Sequence, residues 1–437
     1  MPKTHDHLHK QICTPTNNLP KIVIIGAGFA GISLVKHLLD KPVQIILLDK
    51  HNYHQFQPLL YQVAISGLEP DAIVSPVRKL FQKHANLIYR MATVTHIDPT
   101  NRSLHTDIGY INYDYLVIAT GSKTNYYNSK NIEKYSIGLK NINDAINIRS
   151  WMLQNLELAV EGCNLEEKDV LTNFAVIGGG PAGVEMAGSL AEFKKYLLKN
   201  DYPEIDPSMM KIYLIQSSDR ILPAMSQKSS DQALKVLKKL GIEVLLKHRV
   251  QDYDGETIRI SSGETEKTLK AKTMIWTAGV IGNIIEGIDK KSVFKGRYRV
   301  DAYNQVLDYE RIFAIGDIAL MQNDSHPKGH PMVAQAAIQQ GKKLALNILA
   351  KVEKKHPLEA FEYQDRGSMA TIGKKNAVAD LKIAFLDGRL GWLLWSFIHL
   401  ISIVGFRNKF KVGLNWIGKY FSYEKANQLI IRKYKRE

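Results

Sequence analysis

Two short segments constrain this chain more than anything else in it. Residues 21–49 read KIVIIGAGFAGISLVKHLLDKPVQIILLD, and residues 174–185 read FAVIGGGPAGVE. In each, an apolar run of strand character ends in glycines at GxGxxG spacing, and a helical stretch follows. The first glycine permits a tight turn, the second lets backbone approach a ligand, and the third lets the helix pack closely on the strand. The helix start adds unpaired N–H groups and a positive dipole end, so each segment is suited to an anionic pyrophosphate. The pattern predicts two βαβ units of the kind that bind dinucleotides.

The two units differ in what closes them. After Gly26, Gly28 and Gly31, with Phe29 and Ala30 inside the turn, the second strand ends in Asp49, 23 residues beyond Gly26. A carboxylate there can accept hydrogen bonds from ribose hydroxyls. After Gly178, Gly180, Pro181, Ala182 and Gly183, the corresponding strand at 211–215 ends instead in Gln216. Glutamine lacks the charge that favours the 2′-hydroxyl of NADH and repels the 2′-phosphate of NADPH, so the choice between the two stays open. Gln216 can still hydrogen-bond a ribose hydroxyl, and Arg220 either meets a 2′-phosphate or lies on the surface.

A chain of 437 residues, 45% hydrophobic and 23% charged, is expected to form two to four folding units at roughly 100–200 residues each. Its two cysteines, Cys13 and Cys163, have neither the spacing of a redox dithiol nor that of a zinc site, and no metal is expected. The first 20 residues are polar and without an apolar core, which predicts a disordered lead-in rather than a secretory signal and keeps the body of the protein in the cytosol.

Three further segments carry a resemblance. YDYLVIATGS (113–122), IWTAGV (275–280) and RIFAIGDIA (311–319) resemble the fingerprints of the two-dinucleotide-binding flavoprotein superfamily. The resemblance implies that Ala119, Thr120 and Gly121 pass the flavin nucleotide and that Asp317 hydrogen-bonds the FAD ribitol. It extends the FAD contacts to Lys50 and Val94, gives FAD to the first unit, and gives NAD(P)H to the second with Ala278 and Gly279 on its exit strand. It also implies an α/β fold of two nested Rossmann-type domains with a C-terminal membrane-associating α-helical segment. The expected boundaries are 21–145 with 295–350 for FAD, 146–294 for NAD(P)H, and 351–437 for the C-terminal region.

Within that superfamily, disulfide reductases and sulfide:quinone oxidoreductases need cysteines beside the flavin, and HNYHQFQPLLYQVA (51–64) has none. HQFQPLLYQVA, PMVAQAAIQQG (331–341) and FEYQDRGSMATIGKKNAVAD (361–380) instead resemble the type II NADH dehydrogenases, single-subunit NAD(P)H:quinone oxidoreductases of respiratory membranes. This resemblance implies that Ala334 and Gln335 lie at the flavin and that Gln335 and Gln339 border the quinone pocket. It places Glu185 at the nicotinamide–flavin junction and Lys375 near the quinone. Each also has a plainer reading: an amphipathic helix with exposed glutamines, a helix-start glutamate complementing the dipole, and a solvated lysine beside Lys374.

The basic tail is the remaining feature. Residues 382–437 hold eleven lysines and arginines against three acids, a net +8 of the chain's +15. From 390 to 406 the sequence LGWLLWSFIHLISIVGF has no Asp, Glu, Lys or Arg over 17 residues, at the lower limit of roughly 17–25 for a spanning helix. Glycines and serines dilute it and cations flank it, which predicts an interfacial helix on anionic lipid, with tryptophans and tyrosines at headgroup level. A buried core or dimer helix and a true span stay as alternatives; nucleic-acid binding lacks a recognition motif. The expected activity is hydride transfer from NAD(P)H to FAD, then two electrons to menaquinone or ubiquinone without proton pumping, at the cytoplasmic face of a bacterial inner membrane. A homodimer is compatible with this. The alternatives are a soluble reductase of a small redox protein and a flavin-binding NAD(P)H sensor.

Overall fold

The apolar runs before the two glycine turns become central strands of two separate parallel sheets. In the computed structural model, which describes residues 10–162, 164–354, 357–421, 428–430 and 432–435, the chain divides into two units. The first comprises 1–54, 75–123 and 280–365, and the second comprises 55–74, 124–279 and 366–437. Cys163 and the first nine residues lie outside the described set.

The first unit's sheet runs Ile312–Ala314, Tyr115–Ile118, Lys21–Ile25, Gln44–Asp49, Leu87–Met91, parallel throughout. Its side chains alternate between two cores: Val23, Ile25, Ile46 and Leu48 fill one, while Ile22, Ile24, Ile45 and Leu47 fill the other. Burial on both faces is why these strands read as unbroken apolar runs. Helices Phe29–Leu38 and Ala334–Glu353 cover one face. A Cβ at Gly341 would meet the backbone of Leu34 and the Ser33 side chain, so the two helices come together only because that position is glycine.

The second unit repeats the plan with Ile137–Gly138, Thr273–Trp276, Phe174–Ile177, Ile212–Gln216 and Glu243–Leu246. The antiparallel strands Ser368–Thr371, Ala377–Asp380 and Phe385–Asp387 and the helices Gly388–Ser402 and Phe406–Phe421 also belong to it.

Three features differ from expectation. By compactness the first unit takes 1–54 and 75–123 where 21–145 is expected and 280–365 where 295–350 is expected, and the second takes 55–74 and 124–279 where 146–294 is expected. The C-terminal region from 366 joins the second unit, because Gly188 of helix Pro181–Phe193 packs directly on Ile372 and Gly373. Residues 10–20 are not a disordered lead-in: Ile12 is buried, its N–H donates to the Tyr110 carbonyl over 2.8 Å, and Gln44 Nε2 donates to the Pro15 carbonyl over 2.9 Å. Ile12, an apolar residue within the polar leader, packs into the first unit's core.

No helix among the described residues is long and apolar enough to cross a membrane. The charge-free run breaks after Ser402, and Gly405, in the left-handed region at φ +90°, turns the chain into the next helix.

Candidate cofactor and acid sites

The first glycine turn is tied to its closing strand by Asp49. One carboxylate oxygen accepts the Ala27 N–H and the other the His51 N–H, both at 2.7 Å. A Cβ at Gly31 would collide with the Gly26 carbonyl, whereas one at Gly28 would meet nothing within 4 Å. The turn is therefore tight on its packing side and open where a pyrophosphate would approach the helix start. Phe29 and Ala30 form the first helical turn. Beside them, His54 donates through Nδ1–H to the Ala27 carbonyl at 2.8 Å, while its buried Nε2 has no protein partner. Burial lowers its pKa to about 4, so the ring is neutral.

The remaining residues expected at the flavin lie in the same unit. Thr120 Oγ1 donates to the Asn283 carbonyl at 2.8 Å and Asn283 Nδ2 donates to the Thr120 carbonyl at 3.1 Å, fixing the Ala119–Thr120–Gly121 bend. Asp317 accepts from the Ser122 hydroxyl. The Gly316 N–H donates to Gln340 Oε1 at 2.7 Å, so buried Gln340, which sequence reasoning passed over, holds the GD segment against the Ala334–Glu353 helix. Lys50 is exposed and Val94 begins a strand at partial burial. Ala334 and Gln335 open the helix. Gln335 Nε2 reaches Asp365 at 3.5 Å, and Gln339 bonds the Gln364 backbone twice, at 2.9 and 3.0 Å. The open space over Gly28, the orphan ring nitrogen of His54 and the acceptors of Asp49 suit FAD.

In the second unit Gln216 occupies the position of Asp49. The Gly179 N–H donates to its Oε1 at 2.7 Å, and its Nε2 donates to Ser218 Oγ at 2.5 Å. Gly183 lies against the Gly178 carbonyl, while Gly180 faces open space. Pro181 and Ala182 are exposed at the helix start, and Gly279, in the left-handed region, lies against the hydroxyl end of Tyr127. Arg220 is folded back: its guanidinium donates to the Pro223 and Met225 carbonyls at 2.8 and 3.0 Å. These groups suit a second dinucleotide.

Glu185 is not at a solvated helix start. It is 7% exposed, and burial pushes its pKa up to about 8, with the Thr371 N–H and the Trp395 indole pulling only partly back. The carboxyl is therefore protonated at neutral pH. The Thr371 N–H lies 3.4 Å from Glu185 Oε1. Thr371 Oγ1 is 2.9 Å from the Tyr61 phenol, which receives a hydrogen bond from Gln62 Nε2 at 3.0 Å. Gln62 Oε1 in turn accepts from the Trp416 indole at 2.9 Å. Burial, with the Glu185 charge second, holds the Tyr61 phenol far above its ordinary pKa. Tyr61 and Gln62 sit in the quoted HQFQPLLYQVA segment, but nothing in its pattern marks them as partners of a residue as distant in sequence as Glu185. Lys375 lies in the Gly373–Asn376 turn with φ +65°.

The last two helices are two-faced. Trp395 and Val412 point inward, while Leu390, Leu393, Phe397 and Ile401, then Phe406, Phe410, Leu414 and Ile417, are exposed, Phe406 at 84%. Arg389 and Arg407 flank this apolar face, and Lys411 and Arg407 meet Asp71 at 2.5 and 3.9 Å.

Comparison with known proteins gives two family matches. Residues 20–341 match the pyridine nucleotide-disulphide oxidoreductase model, and residues 366–422 match the NDH2 C-terminal domain. The chain is 33% identical over 432 residues to the type II NADH:quinone oxidoreductase Ndh of Mycobacterium tuberculosis, covering 95% of this chain and 92% of that one. It is 27% identical to the internal alternative NAD(P)H-ubiquinone oxidoreductase A1 of Arabidopsis thaliana mitochondria, covering 92% and 84%. The fold matches that of NDH2 from Plasmodium falciparum in complex with NADH, with TM-score 0.87 at 23% identity, over 95% of this chain and all of the other.

Proposed function

The chain belongs to the type II NADH dehydrogenases, a branch of the pyridine nucleotide-disulphide oxidoreductases, and we propose from this that it oxidises NADH, with FAD as its cofactor, and reduces a quinone. The observation that carries the reading is the pairing of two dinucleotide turns, closed by Asp49 and Gln216, with an NDH2 C-terminal domain in one chain. When bound, FAD would supply the two-electron chemistry that links nicotinamide oxidation to quinone reduction.

The chain's own residues supply position, charge and a proton. Gly26, Gly28 and Gly31 and the Phe29–Ala30 helix start hold the FAD pyrophosphate, Asp49 its ribose, and Asp317 its ribitol. Ala119, Thr120, Gly121, Lys50, Val94, Ala334 and Gln335 line the remainder. Gly178, Gly180, Gly183, Pro181 and Ala182 cradle the nicotinamide dinucleotide, with Gln216 at its ribose and Ala278 and Gly279 at its exit strand. Because Gln216 carries no negative charge, NADPH is accepted beside NADH. Glu185, neutral at physiological pH, holds a proton for the reduced quinone. Gln339 acts by fixing the Gln364 peptide, and Lys375 supplies positive charge at the quinone.

The exposed apolar faces of Gly388–Ser402 and Phe406–Phe421, flanked by cations, meet an anionic lipid surface in which the quinone is dissolved. We place the protein peripherally on the inner face of a bacterial membrane. Purified, FAD-replete protein is expected to oxidise NADH in the presence of menadione or a short-chain ubiquinone. Oxidation that does not depend on added quinone would overturn the assignment and favour a reductase of another acceptor.

A further inference from the structure

The buried acid and the apolar helices are parts of one arrangement. From Glu185 a polar chain runs through the Thr371 N–H, the Thr371 hydroxyl, the Tyr61 phenol and the Gln62 amide to the Trp416 indole. Trp416 lies 5.3 Å, centroid to centroid, from Trp395. The Trp395 indole lies within electrostatic reach of the Glu185 carboxyl. Trp395 is 1% exposed and stacks on His399, rings 4.1 Å apart and 23° from parallel. His399 is neutral, its pKa lowered to about 4 by burial, and its Nδ1 is 2.8 Å from the Trp395 carbonyl.

Two details give Trp395 a role beyond packing. Its Nε1–H is buried without a hydrogen-bond partner of ordinary geometry, which leaves a desolvated donor unmet. A neutral carboxyl gains little from that donor, whereas a carboxylate would gain a charge-assisted bond. Trp395 also lies on the inward side of the helix whose outward residues Leu393, Phe397 and Ile401 are exposed. Among the described residues, the groups that act on Glu185, namely Tyr61, Thr371 and Trp395, carry no charge at neutral pH, so hydration and hydrogen bonding set its proton affinity.

We propose that Trp395 is a positioning residue for Glu185: its ring keeps water from the carboxyl, and its indole N–H is held in reserve for the carboxylate left when the proton departs. The helix that presents an apolar face outward thereby controls the acid beneath it. This inference rests on the quinone-reductase reading only for its link to turnover; the state of the carboxyl can be read without it.

The test compares wild type with Trp395→Phe, Trp395→Ala and Glu185→Gln, each checked for flavin content and circular dichroism. Two readouts are taken from about pH 6 to about pH 9.5: the infrared band of the buried protonated carboxyl, identified by its loss in Glu185→Gln, and the rate of NADH oxidation with menadione. Trp395→Phe keeps the ring and deletes the donor, so the titration is expected to move up by about one pH unit. Trp395→Ala admits water and should move it down by about one unit or more. Shifts of opposite sign are not produced by a general loosening of the fold. If Trp395→Ala does not fold, Trp395→Phe decides alone. A folded Trp395→Phe protein whose carboxyl band titrates as in wild type overturns the proposal. Wild type with a titrating band but no quinone-dependent turnover would overturn the function reading and leave the positioning role intact.

Discussion

The Gly179 N–H donates to Gln216 Oε1 over 2.7 Å, as the Ala27 N–H does to Asp49 Oδ2 in the other dinucleotide turn. Since only an acceptor can meet a backbone N–H, the amide is fixed with its oxygen toward the turn. Its nitrogen donates to Ser218 Oγ and keeps one hydrogen, while the oxygen keeps one lone pair. Asp49 brings a negative charge to its turn; Gln216 brings none.

Replacing Gln216 by glutamate restores the charge without changing the shape of the turn. A carboxylate retains the Gly179 bond and repels a 2′-phosphate. The expected result is a fall in kcat/KM for NADPH of about tenfold to a hundredfold, with NADH nearly unaffected. Steady-state kinetics with both donors checks it, and equal loss with both would place the ribose elsewhere. Arg220 should matter little to NADPH, because its guanidinium is already engaged by the carbonyls of Pro223 and Met225.

At the first turn, Asp49→Ala removes the acceptor for two backbone N–H groups, those of Ala27 and His51. Leaving donors unmet costs about 1–3 kcal/mol each, and the ribose acceptor goes with them. The variant should retain its fold and lose FAD by at least about tenfold in affinity, measured by flavin fluorescence on dilution. Full flavin retention would contradict the assigned role.

These two turns were legible because their physics is local. Glycines at fixed spacing, apolar strands and a closing polar residue all lie within about 40 residues, and burial on both sheet faces leaves unbroken apolar runs in the sequence. The Glu185 pocket was legible only in part. Its glutamate could be singled out, but the plain reading made it a solvated helix start, whereas Thr371 and Trp395 cover it from positions roughly 190 and 210 residues onward. No periodicity records such a meeting. The boundaries moved for a similar reason: Gly188 reads as one more small residue in a helix, and its use becomes visible only where Ile372 and Gly373 pack on it. Gln340, which holds the Gly316 N–H, was hidden between Gln339 and Gly341 by the helix pattern they share.

Glu185 also makes stability depend on pH. Its folded pKa is raised from 4.5 to about 8, so between those values the unfolded chain has released a proton that the folded chain still holds. The folded state therefore loses relative stability as pH rises through this window, and the loss levels off above the folded pKa. Thermal unfolding followed from about pH 5 to about pH 8.5 should show wild type losing ground to Glu185→Gln as pH increases. Parallel curves for the two proteins would mean that the carboxyl is ionised in the fold.

The outward faces of the last two helices give the final prediction. Leu393 and Phe397 are more than half exposed one turn apart on Gly388–Ser402, and neither helps close the pocket on Glu185, which is met by Trp395 from the opposite side. Inserting a leucine and a phenylalanine side chain into the acyl boundary contributes about 1.5–3 kcal/mol each. Leu393→Asp with Phe397→Asp should therefore weaken binding to vesicles containing anionic lipid by about a hundredfold or more. The charges at Arg389 and Arg407 remain, so residual binding should be the salt-sensitive part. Turnover with a water-soluble quinone should persist, while turnover with a long-chain quinone confined to the vesicles should fall with binding. If the double variant still floats with the vesicles, the apolar face has another occupant, and a change in sedimentation between wild type and variant would identify it as a second copy of the chain.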